Sequence, residues 1–215
     1  MSNVNIRPLF IVFEGLDGSG KTTQLHRLAD RLESEGHKVL ITAEPTEFPS
    51  GKLLRSALRG DFPSTPAQLA ALFLNDRIVH NTDAEGIAKY LADGYTVLCD
   101  RYYYSSMAYQ GADTDFEWVA KINLDCPDIR RPDGCILFDI SAEVCMQRID
   151  SRNGQKEIYE TVAKQTILRE KFARIKEYIA EHSGEPIITV NADGSLDEVA
   201  ERVWDAYLAI ADTAQ

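Results

Sequence analysis

Residues 15–22 read Gly15–Leu16–Asp17–Gly18–Ser19–Gly20–Lys21–Thr22, a glycine and then, after four residues, Gly-Lys-Thr. That spacing suits a polyphosphate. Glycines let consecutive backbone N–H groups turn inward as an anion cradle, and a helix starting there adds its positive end. Lys21 reaches terminal phosphates as a point charge, and the Thr22 hydroxyl is placed to ligate Mg²⁺. Gly15, Gly18, Ser19, Gly20, Lys21, Thr22 and Thr23 are therefore expected to hold the phosphates of a nucleotide. Asp17 lies inside the same loop, where its charge is repulsive to polyphosphate unless it meets a hydroxyl or the metal.

More chemistry follows along the chain. Val97–Asp100 is an apolar run closed by a carboxylate. Strand ends cluster on the ligand side of a parallel sheet, which places Asp100 beside the metal or its waters. Arg101 can fork its planar donors onto a second phosphate. Phe73 and Arg77 are four apart, hence on one helix face. A ring beside a guanidinium makes a pocket for a flat base with polar edges. Ser105 and Ser106 add small hydroxyls. Arg148, Arg152 and Lys156 fall on or beside the polar stretch DSRNGQKE, as a closing cationic lid would require. No Asn-Lys-x-Asp string occurs, so the guanine clamp of a GTPase is missing.

These residues need a frame, and the apolar pattern supplies one. Leu9–Phe13 suits a doubly buried strand, Thr22–Glu35 a helix, and Lys38–Ala43 a second strand. Strand, helix and strand so close together form a parallel βαβ unit. Further helices are expected at Pro49–Leu58 and, as one long element, Thr65–Asp93. Strands follow at Tyr95–Cys99, Cys135–Phe138 and Pro186–Val190. Ser141 caps a helix to about Arg148, a long helix runs from about Ile158 to His182, and Ser195 caps the last one. The expected fold is a three-layer α/β/α P-loop NTPase fold with a five-stranded parallel sheet and a short lid at about 148–160. Residues 1–215 read as one domain.

With 23 basic against 34 acidic residues the net charge is −11. That disfavours nucleic acid or an anionic membrane as partner. Cys99, Cys126, Cys135 and Cys145 form no C-x-x-C pair and read as reduced thiols of a cytoplasmic protein. No signal peptide and no apolar run long enough for a bilayer is seen.

The string DRYYYSSMAYQG at 100–111 resembles the signature of the thymidylate kinase family. So do FEGLDGSGKTTQ, EPT followed by GKLLR, LFLNDR, and RIDSRNGQKEIYE, in the same order along nearly the whole chain. The resemblance implies ATP-dependent phosphorylation of dTMP to dTDP with Mg²⁺ by a homodimer, and the apolar faces of the helices at 67–92 and 115–125 could supply the contact. It further implies that Phe73 stacks on thymine, Arg77 bonds its O4, and Arg101 binds the monophosphate. Ser106 would read the base's polar edge, Tyr109 would pack against C2′, and Gln110 would add a base contact. Asp17 would bond the 3′-hydroxyl. The neutral Gly18–Ser19 is similar to bacterial-type members, whose catalytic cation comes from the lid, which points to Arg152, while Arg148 lies near the adenine. Two positions depart from the family pattern: Ala43 stands where a cation often precedes Glu-Pro, and Ile158 replaces a lid arginine. Lys52 or Arg55 could compensate. Alternative readings are a kinase for another nucleoside monophosphate or phosphorylated metabolite, and a nucleotide-binding regulator without turnover.

Overall fold

The computed structural model describes residues 7–150 and 161–214. Five strands form one fully parallel sheet in the order β2-β3-β1-β4-β5: β1 (Phe10–Gly15), β2 (Lys38–Ala43), β3 (Tyr95–Asp100), β4 (Gly134–Asp139) and β5 (Ile187–Asn191). β1 is central because its run of Phe, Ile and Val is apolar on both faces. All six of its residues are buried, including Glu14. Phe13 packs on Phe138 of β4, and Phe10 meets Tyr102 edge to face.

Helices α1 (Lys21–Ser34) and α9 (Leu196–Thr213) pack together on one face. On the other, α5 (Tyr103–Asp113) packs against β1 and touches α3 (Pro66–Thr82), α6 (Phe116–Leu124) and α8 (Val162–His182). α2 (Pro49–Leu58) lies against α3, and α7 (Ala142–Asp150) against α8. The three-layer parallel architecture is the expected one, and strand limits differ by one or two residues.

One expectation is overturned. The helix at Thr65–Asp93 is two helices, α3 and α4 (Ile87–Ala92). Thr65 and Gln68 form a reciprocal capping box at the start of α3. At the other end Asp83 turns extended, and its carboxylate accepts the Glu85 N–H at 2.9 Å. The chain then passes so close to the His80 carbonyl that a Cβ on Gly86 would sit 2.5 Å from it. Apolar periodicity ran through this break; the Asp-x-x-Gly turn was its local signal.

Two helix ends also move. α7 continues to Asp150, beyond the expected Arg148. α8 starts at Val162, after Thr161 whose hydroxyl caps Lys164 N at 3.3 Å. Arg152, Lys156, Ile158 and most of the lid at 148–160 lie outside the described residues.

Candidate active site

β1, β3 and β4 all run toward one edge of the sheet, so the loops that follow β1 and β3 meet there. After β1 the chain winds tightly enough that Gly18, at φ +79°, lies against the Cys145 carbonyl of α7, where a Cβ would sit 2.6 Å away. α1 then starts at Lys21 with no side-chain cap, which leaves its first N–H groups to an anion. Lys21 Nζ donates to the carbonyls of Gly15 (3.1 Å) and Leu16 (2.8 Å). Burial pulls its pKa down to about 8, helped by Arg101 and opposed by Asp17, Asp100 and Glu14.

The Thr22 hydroxyl donates to Asp100 Oδ2 at 2.7 Å. A hydroxyl and a carboxylate side by side are hard-oxygen donors that fit Mg²⁺ when phosphates and waters complete its shell. Among the described residues no larger group of acidic, histidine and cysteine side chains could hold a metal. A phosphate-borne Mg²⁺ is the kind such a sparse site fits.

Arg101 closes the other side of the loop. Its Nη2 pairs with Asp17 Oδ1, its Nη1 donates to Ser105 Oγ at 2.9 Å, and its guanidinium lies 5.6 Å from the Tyr109 ring centre. The Tyr109 hydroxyl points at Asp17 Oδ2 at 3.5 Å. Burial pushes the Asp17 carboxyl up, but Arg101 and Lys21 outweigh it and hold it below the ordinary value. Burial acts against the charge on Arg101 too, and Tyr109, Asp17, Glu14 and Asp100 override it.

Two clefts adjoin at this pair. The polar one is lined by Asp17, Gly18, Gly20, Lys21, Thr22, Thr23, Asp100 and Arg101. The other is mainly apolar, with Pro45, Leu58, Pro66, Leu69, Phe73 and Tyr109 as walls and Arg77, Ser105, Gln110, Asp113, Asp17 and Arg101 as polar groups. Asp17 and Arg101 line both.

Phe73 is half-buried and faces this second cleft, so it is not a plain core residue. Arg77 is 1% exposed. Its Nε and Nη2 fork onto Glu44 Oε2 (2.9 and 2.6 Å), Nη1 donates to Asn123 Oδ1 (2.5 Å), and Nη2 to Ser106 Oγ (3.2 Å). Ser106 thus braces Arg77 from behind and is not among the cleft-lining residues. Gln110 Oε1 is buried with no protein partner, an acceptor left over in the cleft wall.

Arg55 donates to the carbonyls of Thr46 and Pro45, each at 2.6 Å, and pairs with Glu47 at 2.8 Å. It props the cleft wall. Ala43, opposite Asp100 in register, leaves the end of β2 without a cation, and Lys52 is exposed on α2. Arg148 spans from the Ser19 carbonyl (3.3 Å) to that of Ala192 (3.5 Å), joining the phosphate loop to the segment after β5.

Sequence reasoning missed a buried second layer. Glu44 also bonds His80 Nδ1 at 3.0 Å, and His80 Nε2 meets Thr42 Oγ1 at 2.8 Å. Asp76 accepts from Thr46 N (2.8 Å), Thr46 Oγ1 (2.6 Å) and Ser50 Oγ (2.7 Å), which sets the turn carrying Pro45. The segment Glu44–Pro45–Thr46 and the string LFLNDR carried a signal for Glu44 and Asp76. Asn123 had none, since α6 is remote in sequence from Arg77.

A family model described as Thymidylate kinase matches residues 13–203. The probable thymidylate kinase of Pyrococcus horikoshii is 38% identical over 201 residues, covering 90% of this chain and 93% of that protein. The thymidylate kinase of Leptospira borgpetersenii is 33% identical over 205 residues, 94% of each chain. The putative thymidylate kinase of Treponema pallidum is 34% identical over 201 residues, 93% of this chain and 95% of that one.

Proposed function

The chain belongs to the thymidylate kinase family, and from that premise we propose that it phosphorylates dTMP to dTDP with ATP across its two adjoining clefts. The polar cleft takes the ATP phosphates, and the apolar one takes dTMP. The observation that carries this division is the Asp17–Arg101 pair, which lines both.

Phosphoryl transfer depends on alignment and on meeting the charge spread over the moving group. Gly15, Gly18, Ser19, Gly20 and Thr23 offer the loop's backbone to the donor phosphates, and Lys21 moves its charge onto their terminal oxygens. Thr22 and Asp100 would hold Mg²⁺, which when bound neutralises phosphate charge. Arg101 holds the acceptor phosphate at the junction. Asp17 takes the 3′-hydroxyl of the acceptor sugar, and Tyr109 packs against C2′. Phe73 stacks on the base, Arg77 donates to its O4 while Ser106 steadies it from behind, and Ser105 and Gln110 order the polar edge. Arg148 flanks the donor base. Arg152, outside the described residues, is assigned the lid cation.

The test is a coupled ADP-release assay across dTMP, dUMP, dCMP, dGMP and UMP. Turnover led by dTMP is expected. ATP binding without dTMP-dependent ADP release would leave a nucleotide-binding protein instead. We further assign the whole chain to one domain and to a homodimer, with α3, α4 and α6 supplying the contact. Trp118 on α6 is 39% exposed, which supports that face. Sedimentation of the pure protein tests it. A cytoplasmic enzyme without nucleic-acid or membrane partners fits the net charge of −11. No helix among the described residues is long and apolar enough to cross a membrane.

A further inference from the structure

Arg101 is the one non-glycine residue among the described ones with a positive φ, at 70°. Such a conformation costs on the order of 1 kcal/mol for a side-chain-bearing residue and persists where the surroundings over-determine it. Here the surroundings are two consecutive residues of β1. The Arg101 N–H donates to the Phe13 carbonyl at 3.0 Å, and the next N–H, of Tyr102, donates to Glu14 Oε1 at 2.9 Å. The strained residue is gripped on both sides.

Glu14 does more than hold that peptide. Its Oε1 also accepts the Ser105 N–H at 3.0 Å, and its Oε2 accepts the Ser105 hydroxyl at 2.8 Å. The start of α5, where Tyr102 gives no side-chain cap, is thus capped from another strand. With its proton committed to Glu14, the Ser105 oxygen turns its lone pairs outward, and one receives Arg101 Nη1 at 2.9 Å. Glu14 itself is 0% exposed, and its Oε2 lies 4.0 Å from Arg101 Nη1. A fully buried carboxylate is costly unless paired and hydrogen-bonded. Burial raises its pKa, and Arg101 is the largest influence opposing that rise.

We propose that Glu14 is a positioning residue for phosphoryl transfer, which through Tyr102 N–H and the Ser105 hydroxyl locks Arg101 into its left-handed conformation and aims its guanidinium across the junction of the two clefts. The role rests on the reading of Arg101 as the clamp on the acceptor phosphate. It joins the strand that carries the phosphate loop to the helix that carries Ser105, Ser106, Tyr109 and Gln110, so both substrates are registered on one side chain.

Glu14→Gln is nearly isosteric and keeps an oxygen for the two N–H groups. Its amide would donate to Ser105 Oγ, reversing the hydroxyl's partner, and the charge facing Arg101 would be gone. The experiment measures steady-state kinetics for dTMP, calorimetric affinity for ATP without dTMP, and the melting temperature, for Glu14→Gln, Ser105→Ala, the double variant and Arg101→Ala. Expected for Glu14→Gln is a fall of roughly 30-fold in kcat/KM for dTMP, in the range that an ångström of misplacement produces. ATP affinity should stay within about twofold, since the loop itself is untouched. Ser105→Ala, which leaves the capping carboxylate in place, should show a smaller loss of the same kind. The double variant should lose less than the product of the two single losses. Wild-type kinetics for Glu14→Gln, or fully multiplicative losses, would overturn the proposal. So would equal loss of ATP affinity and dTMP turnover together with a lowered melting temperature, the mark of a merely structural residue. The parent reading fails separately: an active Arg101→Ala removes the clamp and this inference with it. An inactive Arg101→Ala beside a normal Glu14→Gln removes only the positioning role.

Discussion

Four of the five N–H donors of Arg77 are directed to Glu44, Asn123 and Ser106, and the residue still lines the acceptor cleft. Such a side chain has almost no freedom left, so in the proposed role it would present a fixed donor to the base at little entropic cost. Asn123→Ala should therefore raise KM for dTMP by about 10-fold while kcat changes little, because the loss of one charged hydrogen bond is worth roughly 1.5–3 kcal/mol. Steady-state kinetics against dTMP and ATP separately checks this, and the KM for ATP should not move. Lys21→Ala is the contrasting case. In the proposed role its charge meets the transferring phosphate, so turnover should fall at least about 1,000-fold. Circular dichroism and the melting temperature should show the fold retained, because burial already disfavours that charge in the free protein.

At the scale of elements, the break between α3 and α4 sets where α3 ends and where the buried His80 and Asn81 of its last turn sit. Both hold cleft-side groups: His80 bonds Glu44, and the Asn81 amide donates to the Tyr102 hydroxyl at 2.8 Å. Gly86→Ala would drive a Cβ into the His80 carbonyl. It should destabilise by about 2 kcal/mol, as overpacking does, seen as a melting temperature lower by roughly 4–8 °C for a chain of this size. Thr65→Ala, at the opposite end of α3, should cost about 1 kcal/mol through the lost capping box. The expectation of a single helix failed here because apolar spacing continues through 65–93, whereas the Asp83 turn and the close approach at Gly86 depend on a few atoms.

Over the whole molecule, an acidic chain of net charge −11 concentrates Lys21 and Arg101 at the edge of the sheet where two anionic substrates meet. The two clefts share only a wall, so each should respond to its own ligand. A ligand at about 100 times its Kd adds roughly 2.7 kcal/mol of stability, enough for a clear thermal shift with dTMP alone and with ATP alone. Phe73→Ala should abolish the dTMP shift and leave the ATP shift. Asp17→Asn should diminish both, since Asp17 lines both clefts.

From sequence alone, the phosphate loop, the five parallel strands and the Phe73–Arg77 pair were legible, and the family resemblance singled out Asp17, Arg101, Ser105, Tyr109 and Gln110, which the fold gathers with that pair along one cleft. The first three depend on local spacing: glycines before a helix start, unbroken apolar runs, or two residues on one helix face. What fixes those side chains was not legible. Glu14 reaches α5 across 88 and 91 residues of chain to bond Tyr102 and Ser105, and Asn123 meets Arg77 across 46. Ser106 turned out to stand behind Arg77, because helix α5 is buried on several sides and the base-facing side cannot be chosen from its pattern. Charges removed from water must find partners wherever the fold brings them, and no periodicity along the chain encodes a partner on another element. The sequence by itself determined which chemistry is present; only the tertiary structure decided which buried groups aim it.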